Sequence, residues 1–284
     1  MIPAAFEYFA PATVDEALGL LREHSDAKVL AGGQSLMPAL RLRLAAPEVI
    51  VDIQKIDDLR GVRDDGDALV IGAMTPHSTV ESDPLVAEHA RLIALATATV
   101  GDPQIRHRGT FGGSLAHADP AADLPAVAVA LDASFVIAGA GGRRTVPAAE
   151  FFEGVFSTAL GEDELLVEVR VPKYTGWGAH YEKFNRVAQG WSIVSVAAAV
   201  RLDGDSIAEA RVGLGNMGPT PVRATAVEAA LVGQPATADA VREAAARAAD
   251  GTSPVTDING DADYRRHLAT VLTRRAVLAA AGTA

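Results

Sequence analysis

Residues 180–214 read HYEKFNRVAQGWSIVSVAAAVRLDGDSIAEARVGL, and the pattern of this stretch decides the class of the fold. Segments 180–186, 192–202 and 206–214 alternate with the period of two expected of strands. Asp203-Gly204 between the last two is a tight-hairpin signal, because such turns favour residues that tolerate positive φ. Downstream, apolar spacing predicts helices over 222–231, 238–249 and 261–280. Three antiparallel strands followed by three helices make an α+β unit, not a doubly wound parallel sheet. This unit is expected to occupy residues 174–284.

Upstream the grammar is different. Thr13-Val14-Asp15-Glu16 has the capping-box pattern, and Ala17, Leu18, Leu20 and Leu21 supply an apolar face, so a helix is predicted over 13–24. A strand over 28–31 runs into Gly32-Gly33, a helix is expected over 38–44 and a strand over 49–53. Residues 1–55 therefore read as a small α/β unit. A second unit, 56–173, is predicted to hold strands over 68–72, 134–138 and 165–171 and helices over 84–99 and 124–131. Thr75-Pro76 suggests an N-cap followed by a first-turn proline, and Gly112-Gly113 a second glycine turn.

Composition narrows the function. The 284 residues include 25 Lys and Arg against 36 Asp and Glu, a formal charge of −11, which argues against a nucleic-acid backbone as partner. The longest stretch free of charge, 187–200, has 14 residues, whereas a membrane span needs roughly 20. The N-terminus shows no basic flank and apolar block of a signal peptide, so the expected location is the cytoplasm. There is no cysteine, which excludes disulfides, thiolate metal sites, a cysteinyl nucleophile and Cys-ligated iron–sulfur clusters in this chain. Redox chemistry here requires an organic cofactor held by other groups.

Two motifs offer such a hold. In Leu30-Ala31-Gly32-Gly33-Gln34-Ser35-Leu36 an apolar strand enters adjacent glycines and a hydroxyl. Unobstructed amides of this kind can converge on an anion, although the same residues also suit a plain strand-to-helix turn. Thr110-Phe111-Gly112-Gly113-Ser114 repeats the elements and runs on to His117, Asp119 and Asp123. Asp123 can serve as an acceptor for a ribose or ribitol, as the N-cap of the following helix, or as both. A metal site on these three side chains is disfavoured, because Pro120 interrupts the helix that would align them. Gly213-Leu214-Gly215-Asn216-Met217-Gly218 spells a dinucleotide fingerprint. It follows an antiparallel meander, however, and the acid at the customary distance, Asp239, falls at a predicted helix start. Its glycines are read as a bend out of the sheet. Lys183 lies on an alternating strand, where solvation is the ordinary fate. Trp191 fits either a core position or an aromatic platform for a flat ring. No nucleophile elbow and no acid–base pair are evident, so no catalytic residue is assigned.

Taken together, AGGQSLMPALRLRLAAPEVIVDI (31–53), TVGDPQIRHRGTFGGSLAHADPAADLPA (99–126) and YEKFNRVAQGWSIVSVAAAV (181–200) resemble the FAD-binding medium subunits of molybdenum hydroxylases. This is the xanthine dehydrogenase and aerobic carbon monoxide dehydrogenase group, and MIPAAFEYFAP and the chain length are most similar to the carbon monoxide dehydrogenase branch. The resemblance implies an α+β protein with a two-subdomain FAD-binding domain of the PCMH/VAO type, followed by a C-terminal domain with a three-stranded antiparallel sheet and helices. It implies non-covalent FAD, with Leu30 to Leu36 around the pyrophosphate and Thr110 to Ser114 closing from the other side. His117 and Asp123 would contact the cofactor, Val100, Gly101 and Ile105 would lie beside it, and Lys183 near the flavin end. The implied partners are an iron–sulfur small subunit with two 2Fe–2S clusters and a molybdenum large subunit, assembled as a dimer of heterotrimers. Electrons would pass from the clusters through FAD to an external acceptor. Gln34 stands where some carbon monoxide dehydrogenases have His, and Ala116-His117-Ala118-Asp119 departs from their segment, so purines, nicotine and other N-heterocycles remain alternative substrates of the complex. A flavin-free scaffold is the reading from another class, told apart by whether the purified chain is yellow.

Overall fold

The computed structural model describes residues 2–283; Met1 and Ala284, where the expected first and third units begin and end, lie outside them. The first elements are β1 (Glu7–Phe9), α1 (Val14–Glu23), β2 (Lys28–Leu30), α2 (Leu36–Leu42) and β3 (Val49–Asp52). β1 and β2 both pair parallel with β3. The Thr13 hydroxyl accepts from the Glu16 amide, and the Glu16 carboxylate reaches back to the Ala12 amide. This cap starts α1, which buries Ala17, Leu18 and Leu21 in a cluster that includes Val49 and Val51. α2 starts earlier than predicted, because Pro38 is tolerated in a first turn where no amide partner is needed.

The next elements are β4 (Val62–Asp65), β5 (Ala68–Gly72), α3 (His77–Ser82), α4 (Pro84–His89), α5 (Arg91–Thr97), α6 (Pro103–Arg108), α7 (Phe111–His117) and α8 (Asp123–Ala130). They are followed by β6 (Ser134–Gly139), β7 (Gly142–Pro147), α9 (Ala148–Phe151), β8 (Phe152–Gly154), β9 (Ser157–Thr158) and β10 (Leu165–Pro172). The sheet runs β4-β5-β10-β6-β7, antiparallel throughout. Three expectations are corrected here. The helix over 84–99 is broken at Ala90, whose φ of −145° and ψ of 45° are not helical. Thr75 does not cap α3, because its hydroxyl is held by the main chain of Gly61. Gly112-Gly113 is no turn: both glycines lie inside α7, where a Cβ on Gly112 would approach Ala73 Cβ to 2.5 Å.

The remaining elements are β11 (Gly178–Phe184), β12 (Val194–Asp203), β13 (Ser206–Gly215), β14 (Val222–Arg223), α10 (Thr225–Leu231), α11 (Ala238–Ala245) and α12 (Ala262–Ala281). The three long strands form the expected antiparallel meander, hinged at Gly204-Asp205 with Gly204 at φ +58°. A two-residue strand, β14, adds a fourth to the sheet where a helix was predicted to begin. On β12, Val194, Val196, Ala198 and Val200 join the apolar cluster formed with the three helices, whereas Ala197 and Ala199 join that of the upstream half. Burial of both faces explains why 192–200 carries no charge. α8 is sandwiched at this junction, and all eight of its residues are buried.

Candidate cofactor-binding site

β2 delivers the first glycine motif to the edge of the upstream half. Gly33 takes φ +73°, a conformation that L side chains adopt only with strain. Among the described residues no acceptor takes the amides of Gly32, Gly33, Gln34 or Ser35, and the Ser35 hydroxyl makes no capping bond. The Gln34 side chain folds back, its Nε2 donating to the Gly32 carbonyl at 3.1 Å. Successive uncommitted donors at a partly exposed turn are what an anionic group requires.

The second motif buttresses the first. A Cβ on Gly32 would lie 2.4 Å from the Arg108 carbonyl and 2.9 Å from the Thr110 amide, and one on Gly113 would lie 3.3 Å from Ala31 Cβ. The two glycine pairs thus bring the motifs into close contact. Four amides of the second motif are already committed: Phe111 donates to Thr75, Gly112 to Ala73 and Ser114 to Thr110, while the Thr110 hydroxyl caps the Gly113 amide. The run of successive free amides is at 32–35, and the second motif packs against it.

A polar relay joins this contact to the first sheet. Tyr8 donates to Asp52 at 2.6 Å, Asp52 caps the Gln54 amide, and Arg108 donates to the Gln54 side chain at 2.8 Å. The bond to Asp52 holds the Tyr8 hydroxyl above its ordinary pKa. Behind it, the buried His77 ring packs on Gly109, and burial together with the Arg106 charge lowers its pKa to about 4.

A second group of predicted residues assembles between the two halves. Lys183 is not solvated. Its Nζ donates to Asp123 Oδ2 at 3.0 Å and to the Thr99 carbonyl at 3.1 Å, which leaves one ammonium N–H uncommitted. Gly101, at φ +51°, packs against the Ile105 side chain. Asp123 is the first residue of α8 rather than its cap, and its other oxygen accepts from Tyr181 at 2.7 Å. Desolvation raises the Asp123 pKa against the opposing pull of Lys183, and desolvation followed by the Asp123 charge pushes Tyr181 well above its usual value. Tyr181 was not anticipated, yet the signal was present: residues two apart on a strand share a face, so Tyr181 follows from Lys183. His117 ends α7 with its ring 5.0 Å from that of Phe156, and desolvation lowers its basicity. Trp191 is 58 % exposed and therefore not core; its neighbour Ser192 bonds the Ala121 carbonyl at 2.8 Å.

Fold and site define a protein that presents free backbone donors from one α/β unit, buttresses them from a second, and closes the junction with an α+β domain. Residues 4–174 match the FAD binding domain in molybdopterin dehydrogenase, and residues 179–280 the CO dehydrogenase flavoprotein C-terminal domain. The chain belongs to this family of molybdopterin dehydrogenase FAD subunits; it is a flavoprotein oxidoreductase subunit, and its cofactor is FAD. It is 44 % identical to the carbon monoxide dehydrogenase medium chain of Hydrogenophaga pseudoflava, covering 99 % of this chain and 98 % of that one. It is 36 % identical to the glyceraldehyde dehydrogenase medium chain of Sulfolobus acidocaldarius, covering 97 % and 98 %. The solved carbon monoxide dehydrogenase from Hydrogenophaga pseudoflava that lacks the Mo-pyranopterin moiety superposes with a TM-score of 0.96 at 46 % identity, covering 100 % of this chain and 99 % of that one. Among the described residues no helix is long and apolar enough to cross a membrane.

Proposed function

We propose that the chain is the FAD-carrying electron-transfer subunit of a cytoplasmic molybdenum hydroxylase complex of the carbon monoxide dehydrogenase type. Its partners are an iron–sulfur subunit with two 2Fe–2S clusters and a molybdenum subunit, in a dimer of heterotrimers, and electrons leave to an external acceptor. The observation that carries the reading is the run of uncommitted amides at 32–35, set on a turn that the second motif braces. The donor set fits a pyrophosphate without any basic patch, as a chain of net charge −11 requires. The absence of cysteine rules out a cysteinyl flavin link; the flavin is held non-covalently by Leu30 to Leu36 and by the residues gathered around Thr99, with Lys183 offering its remaining N–H. Bound FAD supplies the electron transfer; the chain supplies binding, orientation and exclusion of water. The working division is residues 1–55 and 56–173 for the two FAD-binding subdomains and 174–284 for the C-terminal domain.

Purified full-length chain is expected to carry one FAD that acid precipitation releases intact into the supernatant. Gly33→Val is expected to give folded, flavin-poor protein, because a β-branched side chain resists φ +73° and obstructs approach to the amides. Flavin remaining in the pellet, FMN in place of FAD, or full flavin content in Gly33→Val would overturn the reading.

A further inference from the structure

The Gly213-to-Gly218 motif is left without a role by the cofactor site. It closes β13, and what it grips is main chain of the cofactor-binding half. A Cβ on Gly213 would lie 2.1 Å from the Ala126 carbonyl, so β13 presses directly on α8. Gly213 permits this approach, and the chain then bends out of the sheet over 216–220 as the sequence suggested. Asn216, at φ +59°, donates its amide to the Pro120 carbonyl at 2.8 Å. Its side chain donates to the carbonyls of Ser192 at 2.8 Å and Ile193 at 3.3 Å. Ser192 in turn donates its hydroxyl to the Ala121 carbonyl. Behind them Arg265, fully buried in α12, bonds the Ile193 carbonyl and pairs with Asp257 at 2.8 Å.

Two consecutive carbonyls, Pro120 and Ala121, are therefore held by donors from the C-terminal domain. They lie in the junction 118–122 between α7, which carries Gly112 and Gly113, and α8, which begins at Asp123. The junction opens with Ala118 at φ +51°, a left-handed alanine that persists only where its surroundings over-determine it.

We infer that Asn216 is a positioning residue of the FAD site: the glycine motif clamps protein backbone rather than a nucleotide, and through the α7–α8 junction it holds the second motif against the first loop. The inference rests on the site lying at 32–35. It is tested by titrating FAD into full-length, flavin-stripped chain, following flavin fluorescence, with visible circular dichroism of the saturated protein as a second readout.

Asn216→Gly keeps the left-handed backbone and the amide but removes both side-chain bonds. It is expected to weaken FAD binding roughly tenfold, the lower end of the loss seen when partners behind metal ligands are removed, and to alter the flavin dichroism. Wild-type affinity and dichroism in Asn216→Gly, whatever its thermal midpoint, would overturn the inference. Gly33→Val separates the two readings: if that variant keeps its affinity, the loop reading falls while Asn216→Gly still decides the clamp.

Discussion

His77 illustrates how burial at one residue sets a property of the whole fold. Its ring is 3 % exposed and its pKa is lowered from 6.5 to about 4, first by desolvation and then by Arg106. The unfolded chain therefore binds a proton that the folded chain refuses between those values. The stability associated with neutral His77 is fully present above pH 6.5 and is lost as the pH falls toward 4, by about 3 kcal/mol in all. Chemical denaturation at a series of pH values should show this acid limb, and His77→Gln should flatten it; an unchanged slope in the variant would refute the assignment. The residue scale is also where the sequence was both most and least informative. Both glycine pairs stand out in the sequence, but which pair keeps its amides free does not. That depends on the bonds from Phe111 to Thr75 and from Gly112 to Ala73, partners 36 and 39 positions away that no local pattern reveals.

Between elements, α8 and β11 meet through a buried charge pair. The Asp123 and Lys183 side chains are 5 % and 7 % exposed, so each is the other's main substitute for water. Lys183→Met strands the carboxylate and is expected to cost about 3 kcal/mol of stability, whereas Asp123→Asn combined with Lys183→Met should recover most of it. Denaturant midpoints of the two single variants and the double variant form the cycle; purely additive losses would show that the pair is not coupled. Strong periodicity made α1, β12 and the hairpin legible. α7 was not, because a helix containing Gly-Gly contradicts local propensity and forms only where Ala73 leaves no room for a Cβ. The division of 84–99 was equally hidden: Ala90 is a good helix former, fully buried in a non-helical conformation by its packing.

On the scale of the whole molecule, the two halves are joined on several fronts. Asp132, just past α8, pairs with Arg211 at 3.3 Å and also with Arg223, which in turn pairs with Glu228. Together with the Asp123–Lys183 pair and the clamp inferred at Asn216, this makes the C-terminal domain part of the scaffold around the proposed cofactor site. Such a chain binds a flavin, and its sequence contains no cysteine with which to bind a cluster. On the proposed electron-transfer reading, electrons reach the flavin from cofactors carried by other chains. The isolated chain is accordingly expected to bind FAD yet to reduce no dye when given carbon monoxide or an N-heterocycle. Combined with the iron–sulfur and molybdenum chains it should support carbon monoxide-dependent dye reduction, and omission of any one of the three should abolish it. Turnover by this chain alone, with iron and molybdenum contamination excluded by metal analysis, would defeat the electron-transfer reading. Activity of the assembled complex on a heterocycle but not on carbon monoxide would keep that reading and reassign the substrate.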